Sequence, residues 1–148
     1  MTADEMSRFI TERFAGVDVV VNADNSFYFY NPDPNVEPDH MFPFVTLMVN
    51  DVNDDYSDLD RPGAYRLNIG VSKETFQSLF GELRGASARD SAKRGDFDYT
   101  APDQLMPHPV YGMMYWLCVV NPGEATFEEQ VLPLLEEAYG MAVRKKSG

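Results

Sequence analysis

Apolar residues first recur at helical spacing in Met6, Phe9, Ile10 and Phe14, behind a Thr2/Glu5 pair spaced as a capping box and ahead of Gly16. This pattern predicts an amphipathic N-terminal helix. The period then changes. VDVVV (17–21) and SFYFY (26–30) are β-branched and aromatic runs separated by NADN, which predicts a hairpin. Its aromatic residues Phe27, Tyr28, Phe29 and Tyr30 alternate between faces, so one pair enters the core and the other meets solvent or forms a binding surface. FPFVTLMVN (42–50) and AYRLNIGV (64–71) read as a third and a fourth strand. Ser72 is placed to cap a short helix carrying Phe76, Leu79 and Phe80 and closing near Gly81. MMYWLCVV (113–120) is the most apolar strand, with Trp116 as a core anchor, and Asn121-Pro122-Gly123 is a turn. A second capping-box spacing, Thr126 with Glu129, precedes a helix that buries Phe127, Val131, Leu134, Leu135, Ala138 and Ala142. Pro133 lies inside that helix and removes an amide donor, which predicts a kink or a separate first turn near Leu132.

Between residues 84 and 103 the periodicity disappears, which predicts a long mobile loop in a single domain spanning 1–148. The element order predicts an α+β fold: an antiparallel sheet of about five strands with helices packed on one face. With 148 residues, 44% of them hydrophobic, the chain is large enough for one continuous core. Its single cysteine, Cys118, lies within an apolar run, so no internal disulfide forms. No apolar run approaches the roughly 20 residues that span a bilayer, and the expectation is a cytoplasmic protein with no membrane partner.

Charge changes the picture further. The net charge is −12, and residues 31–60 hold eight Asp or Glu and no Lys or Arg. Phosphate backbones are repelled by such a chain, which speaks against nucleic acid as a partner. The best basic group, Arg84, Arg89, Lys93 and Arg94, has no aromatic residue among it for base stacking and reads as a solvated loop. The acidic run DVNDDYSDLDRP (51–62) starts like a calcium loop, but Tyr56 replaces the turn glycine and Pro62 the closing Glu. Ser72 lacks the second glycine of a nucleophile elbow, and no glycine spacing makes a phosphate loop. With His40 and His108 far apart and one cysteine, zinc of ordinary ligand spacing has no site. No cofactor and no metal is expected.

The remaining candidate is PHPVYG (107–112). Flanking prolines hold His108 outside any helix, so its imidazole is rigidly presented near Tyr111 and Tyr115. It reads first as a histidine bonded to backbone at a strand entrance, and second as a ligand-binding donor or a general base.

LNIGVSKETFQSLFG (67–81), PHPVYGMMYWLCVV (107–120) and TFEEQVLPLLEEAY (126–139) together resemble the MmcQ/YjbR-like proteins, of the frataxin-homologue type of fold. The chain is more similar still to an uncharacterised bacterial family of unknown function sharing the LNIGVS, MPHPVYG and NP-x-E-x-TFE segments. The first resemblance implies a sheet with a terminal helix and DNA binding through a winged surface; the second implies no activity. The leading expectation is a non-catalytic domain, monomer or homodimer, that binds a small molecule or protein through His108, Tyr111 and Tyr115. The alternatives are an enzyme with His108 as general base beside Tyr111 or an Asp of 96–103, a nucleic-acid-binding protein, and an acidic decoy presenting Asp51 to Asp60.

Overall fold

The computed structural model describes residues 1–33, 35, 41–81 and 97–147; His40, the 84–96 part of the expected mobile loop and its basic group lie outside them. Six strands, β1 (Val17–Asn22), β2 (Asn25–Tyr30), β3 (Val45–Met48), β4 (Arg66–Gly70), β5 (Met106–Pro107) and β6 (Trp116–Val120), form one antiparallel sheet in the order β1-β2-β3-β4-β6-β5. The strand beyond the expected five is β5, whose two residues are too few to show a period. The β1–β2 turn needs only Ala23 and Asp24, both at positive φ (51° and 67°), the backbone that matches the twist of a two-residue hairpin.

Helices α1 (Ala3–Arg13), α2 (Lys73–Phe80) and the C-terminal helix α3 (124–147) cover one face. Thr2 and Glu5 form the expected capping box, with the Glu5 amide donating to Thr2 Oγ1 at 3.1 Å and the Thr2 amide to Glu5 Oε1 at 2.9 Å. Ser72 accepts from the Thr75 amide at 3.1 Å and caps α2. The second capping box does not form. Thr126 already has helical backbone angles and the helix starts at Gly123, because Pro122-Gly123 brings the chain out of the turn extended. Asp103, from a different segment, takes over part of the capping by accepting from the Gly123 amide at 2.6 Å. Pro133 is accommodated by a π-helical turn, Phe127–Val131, whose wider register removes the demand for an amide at the proline, so the helix runs on through Leu132 with no separate first turn.

The main core lies between helices and sheet. It joins Met6, Ile10 and Phe14 of α1, Phe76 of α2, and Val131, Leu135 and Ala138 of α3 to Tyr28, Val45, Leu47, Leu67, Ile69, Leu117 and Val119 of the strands. The opposite face is roofed by loops instead. There Tyr99, Met106 and Cys118 make a second cluster, with Tyr56 and Phe97 against it. Arg61 ties the two covering loops together by donating from Nη2 to the Thr100 carbonyl at 2.6 Å, and Tyr99 donates to the Pro107 carbonyl at 2.7 Å. Cys118 is fully buried here, and burial pushes its thiol up to about 12, which leaves it inert. No helix among the described residues is long and apolar enough to cross a membrane.

Candidate functional site

Strand alternation puts Arg66 and Asn68 of β4 on the loop-covered face, because their neighbours Leu67 and Ile69 enter the helix-side core. β4 is a central strand, so both polar side chains are buried, Arg66 to 1% exposure and Asn68 to 2%. A buried guanidinium has to be paired and hydrogen-bonded to be tolerated. The acidic loop does this. Asp54 accepts from Arg66 through both oxygens, Oδ1 from Nη1 at 2.9 Å and Oδ2 from Nη2 at 2.7 Å, a bidentate pair. Ser57 Oγ accepts from Nη1 at 3.0 Å and Asn68 Oδ1 from Nε at 2.9 Å. Asn68 donates onward to Thr46 Oγ1 at 2.9 Å, its register partner on β3.

The loop that supplies Asp54 is held by its own acids. Asp51 accepts from the Leu59 amide at 2.8 Å, Asp60 from the Asp51 amide at 3.2 Å, and Leu59 is buried as an anchor. Asp54 stands at the fourth position of the run, where the calcium pattern has no ligand. No group of three or more His, Cys, Asp or Glu able to hold a metal occurs among the described residues.

His108 meets Arg66 from the other side. It is 3% exposed, and its amide extends the ladder by donating to the Trp116 carbonyl at 2.9 Å. Its ring folds back onto its own turn, and Nδ1 accepts from the amides of Val110 and Tyr111, each at 3.0 Å. A ring nitrogen accepting from two N–H groups carries no proton, so the network assigns the proton of the neutral imidazole to Nε2. Nε2 lies 3.5 Å from Arg66 Nη2. Burial and the neighbouring guanidinium hold the imidazole down to about 3 against a weaker opposing pull from Asp54, so the ring is neutral at physiological pH. Burial pushes Asp54 up, but its hydrogen bonds and charge pairing with Arg66 outweigh this and keep it below the ordinary carboxylate range.

Above this polar floor opens a pocket of about 440 Å³. Thr46, Met48, Arg66, Asn68 and His108 are its buried members; Phe27, Trp116, Asn53 and Pro43 stand around them, and Phe42, Tyr111 and Met114 are exposed at the rim. Phe27 is one of the aromatic residues whose alternation predicts a face away from the core, while Tyr28 and Tyr30 pack on the helix side.

The predicted site residues divide. His108 and Tyr111 both line the pocket, with ring centroids 5.1 Å apart. Tyr115 does not join them. Its positive φ of 64° turns the side chain to the helix side, where it packs edge-on against Phe76 at 5.7 Å. The same turn shortens the expected strand: residues 112–114 form a 3₁₀ turn, and β6 begins only at Trp116. Trp116 itself is a half-buried pocket wall rather than a core anchor, its indole lying against Gly70. Asp98 and Asp103, the described acids of 96–103, bond Thr100 and Gly123 and are absent from the pocket lining.

Sequence reasoning missed Arg66, Asp54, Asn68 and Thr46. A signal existed in AYRLNIGV, where Arg and Asn occupy alternate positions of an otherwise apolar strand. That spacing reads as a solvated face unless the strand is known to be central and roofed. No curated protein and no solved structure matches the chain. A family model covers it from end to end, residues 1–148, and the chain therefore belongs to DUF6194, a family of unknown function.

Proposed function

We propose that this protein is a non-catalytic small-molecule-binding domain whose ligand occupies the pocket on the loop-covered face of the sheet. The observation that carries the reading is the buried polar chain Thr46–Asn68–Arg66–Asp54 at the base of a mostly apolar cavity. A concave apolar site with a few convergent polar groups is the usual form of a ligand pocket, and about 440 Å³ is within its usual size. A guanidinium kept dry there costs desolvation that an apolar residue would avoid. Ligand recognition gives a reason for it.

Binding is favoured over catalysis by the state of His108. Its Nδ1 lone pair is taken by two backbone amides and its Nε2 carries a proton, so the ring has no free site with which to abstract one. Asp54, the acid lining the pocket, is held by Arg66 through both oxygens. Of the expected binding residues, His108 and Tyr111 are retained in this reading; Tyr115 supports the turn from behind.

A metabolite screen by thermal shift tests the proposal. A ligand at a hundred times its dissociation constant stabilises by about 2.7 kcal/mol. The single tryptophan, Trp116, stands in the pocket wall, so the indole N–H resonance of a true ligand complex moves on titration. Hits that stabilise the protein without moving that resonance would place binding elsewhere and overturn the reading.

A further inference from the structure

Four of the five guanidinium N–H groups of Arg66 have acceptors: Asn68 Oδ1, Asp54 Oδ1, Ser57 Oγ and Asp54 Oδ2. The fifth, on Nη2, faces His108 Nε2 at 3.5 Å. Since Nδ1 is the accepting nitrogen of that ring, Nε2 is a donor as well, and the contact sets donor against donor. With this tautomer, two buried N–H groups of residues that line the pocket meet with no acceptor between them among the described residues. Buried donors left without a partner are costly, and a pair of them meeting beside a cavity is relieved by an oxygen that accepts from both.

We infer that the pocket selects ligands bearing a neutral carbonyl oxygen, a ketone, amide, ester or lactone on an apolar frame, which accepts jointly from Arg66 Nη2 and His108 Nε2. The inference rests on the small-molecule reading above and narrows its ligand class. Charge decides between a carbonyl and a carboxylate. The guanidinium is already matched one to one by Asp54 in a bidentate pair, so the floor is electrically balanced before any ligand arrives. A second carboxylate would add an unpaired negative charge beside Asp54, in a dry site of a chain whose net charge is −12. A carbonyl supplies the two lone pairs the donors need and brings no charge. The apolar walls, Phe27, Met48 and Trp116, suit a hydrocarbon frame attached to it.

Acetophenone, ethylbenzene and benzoate share an aromatic ring and differ at the group that would meet the floor, so they separate the possibilities. Each is titrated into the isotope-labelled protein while the Trp116 indole resonance is followed. Acetophenone is expected to bind about tenfold tighter than ethylbenzene, the effect of one buried hydrogen bond, with benzoate weaker than acetophenone. Ethylbenzene binding as tightly as acetophenone would mean that the two donors keep a water; the carbonyl inference falls and the pocket reading stands. Benzoate binding tightest would overturn the choice of a neutral acceptor. If none of the three moves the indole resonance, the carbonyl inference fails, while the pocket reading stands or falls with the metabolite screen. His108→Gln retains a side-chain N–H and should keep at least part of the preference for acetophenone over ethylbenzene, whereas His108→Leu should abolish it. A preference unchanged in a folded His108→Leu protein would remove His108 from the site, and the wild-type titrations decide the carbonyl question if that variant does not fold.

Discussion

On β4, Leu67 and Ile69 point into a layer filled by helices, while Arg66 and Asn68 point under loops into a layer that holds a polar chain and a cavity. The backbone is shared, so the difference comes from what covers each face. A helix satisfies its own backbone hydrogen bonds and presents only side chains, so against it the strands have apolar partners and the space fills. A loop presents carbonyls, amides and short acids. Against loops a central strand can carry an arginine, because Asp54 and Ser57 reach it, but such cover does not interdigitate, and the pocket is what remains. The close-packed core and the pocket thereby fall on opposite faces of one sheet.

The sharpest way to break this comparison is to remove Asp54. If the loop-covered face is as dry as its burial indicates, Asp54→Ala strands a buried guanidinium and costs about 3–5 kcal/mol in urea unfolding. Replacing both partners, Asp54→Ala with Arg66→Met, should recover most of that loss. A single-mutant cost of about 0–1 kcal/mol would class the pair with solvated surface ion pairs and make the two faces less different than they look.

Neighbouring residues of β6 give the next contrast. Leu117 is fully buried against the helices, and Leu117→Ala should cost about 2–5 kcal/mol while leaving the pocket intact. Trp116, one position earlier and on the other face, is larger but only half-buried, and Trp116→Ala should cost less than Leu117→Ala. Thermal melts of the two variants decide the order. The reverse order would restore Trp116 to the role of core anchor that its sequence context suggests.

That context shows where the sequence is legible and where it is not. Period and caps are local, so α1 with its Thr2/Glu5 box, the Ser72 cap, the hairpin and the helix-side core are all readable from residue spacing. The alternation of Phe27 with Tyr28 even separates the two faces in advance. The polar floor was not readable, because Arg66 and Asp54 are twelve residues apart and meet only after the 51–61 loop folds over a strand whose central place depends on β6 pairing beside it. Thr126/Glu129 failed for a related reason: the spacing is local, but the position of the helix start was set by Pro122-Gly123 and by Asp103 arriving from elsewhere. His108 stands out in the sequence for its prolines; what they hold in place is a ring whose Nδ1 is taken by its own turn and whose Nε2 faces Arg66.

Acid should act on the loop-covered face before the helix-covered one. The folded-state pKa of His108, about 3, lies below the roughly 6.5 of an unfolded imidazole, so as pH falls through that window the unfolded chain takes up a proton that the folded chain refuses. The stability concerned is fully present above pH about 6.5 and declines towards pH 3, by at most about 1.4 kcal/mol per pH unit. Asp54 acts in the same direction at lower pH, since its folded pKa is depressed and its contribution is lost as the carboxylate protonates. Urea unfolding at pH 7 and pH 5 should therefore differ by about 2 kcal/mol from His108, and the His108 ring protons should not titrate between pH 7 and 5 in the folded state. A ring that titrates near 6.5 would show a hydrated, solvent-facing imidazole.

The smallest effect is the most discriminating for the pocket wall. Gly70 has no left-handed backbone requirement, yet a Cβ built there would lie 3.0 Å from Cε2 of the Trp116 indole. Alanine suits a strand better than glycine, so the backbone favours Gly70→Ala while the indole opposes it. If Trp116 were locked in a close-packed core, the clash would cost about 1–3 kcal/mol as overpacking. Beside an open pocket the ring has somewhere to go, and the gain in backbone rigidity, about 0.4–1 kcal/mol, offsets most of the displacement. Gly70→Ala should accordingly melt within a few degrees of wild type while weakening ligands that contact the indole, because the ring is pushed towards the space they fill. A large drop in melting temperature with unchanged affinity would mean that the indole is fixed by packing and that the pocket ends short of it.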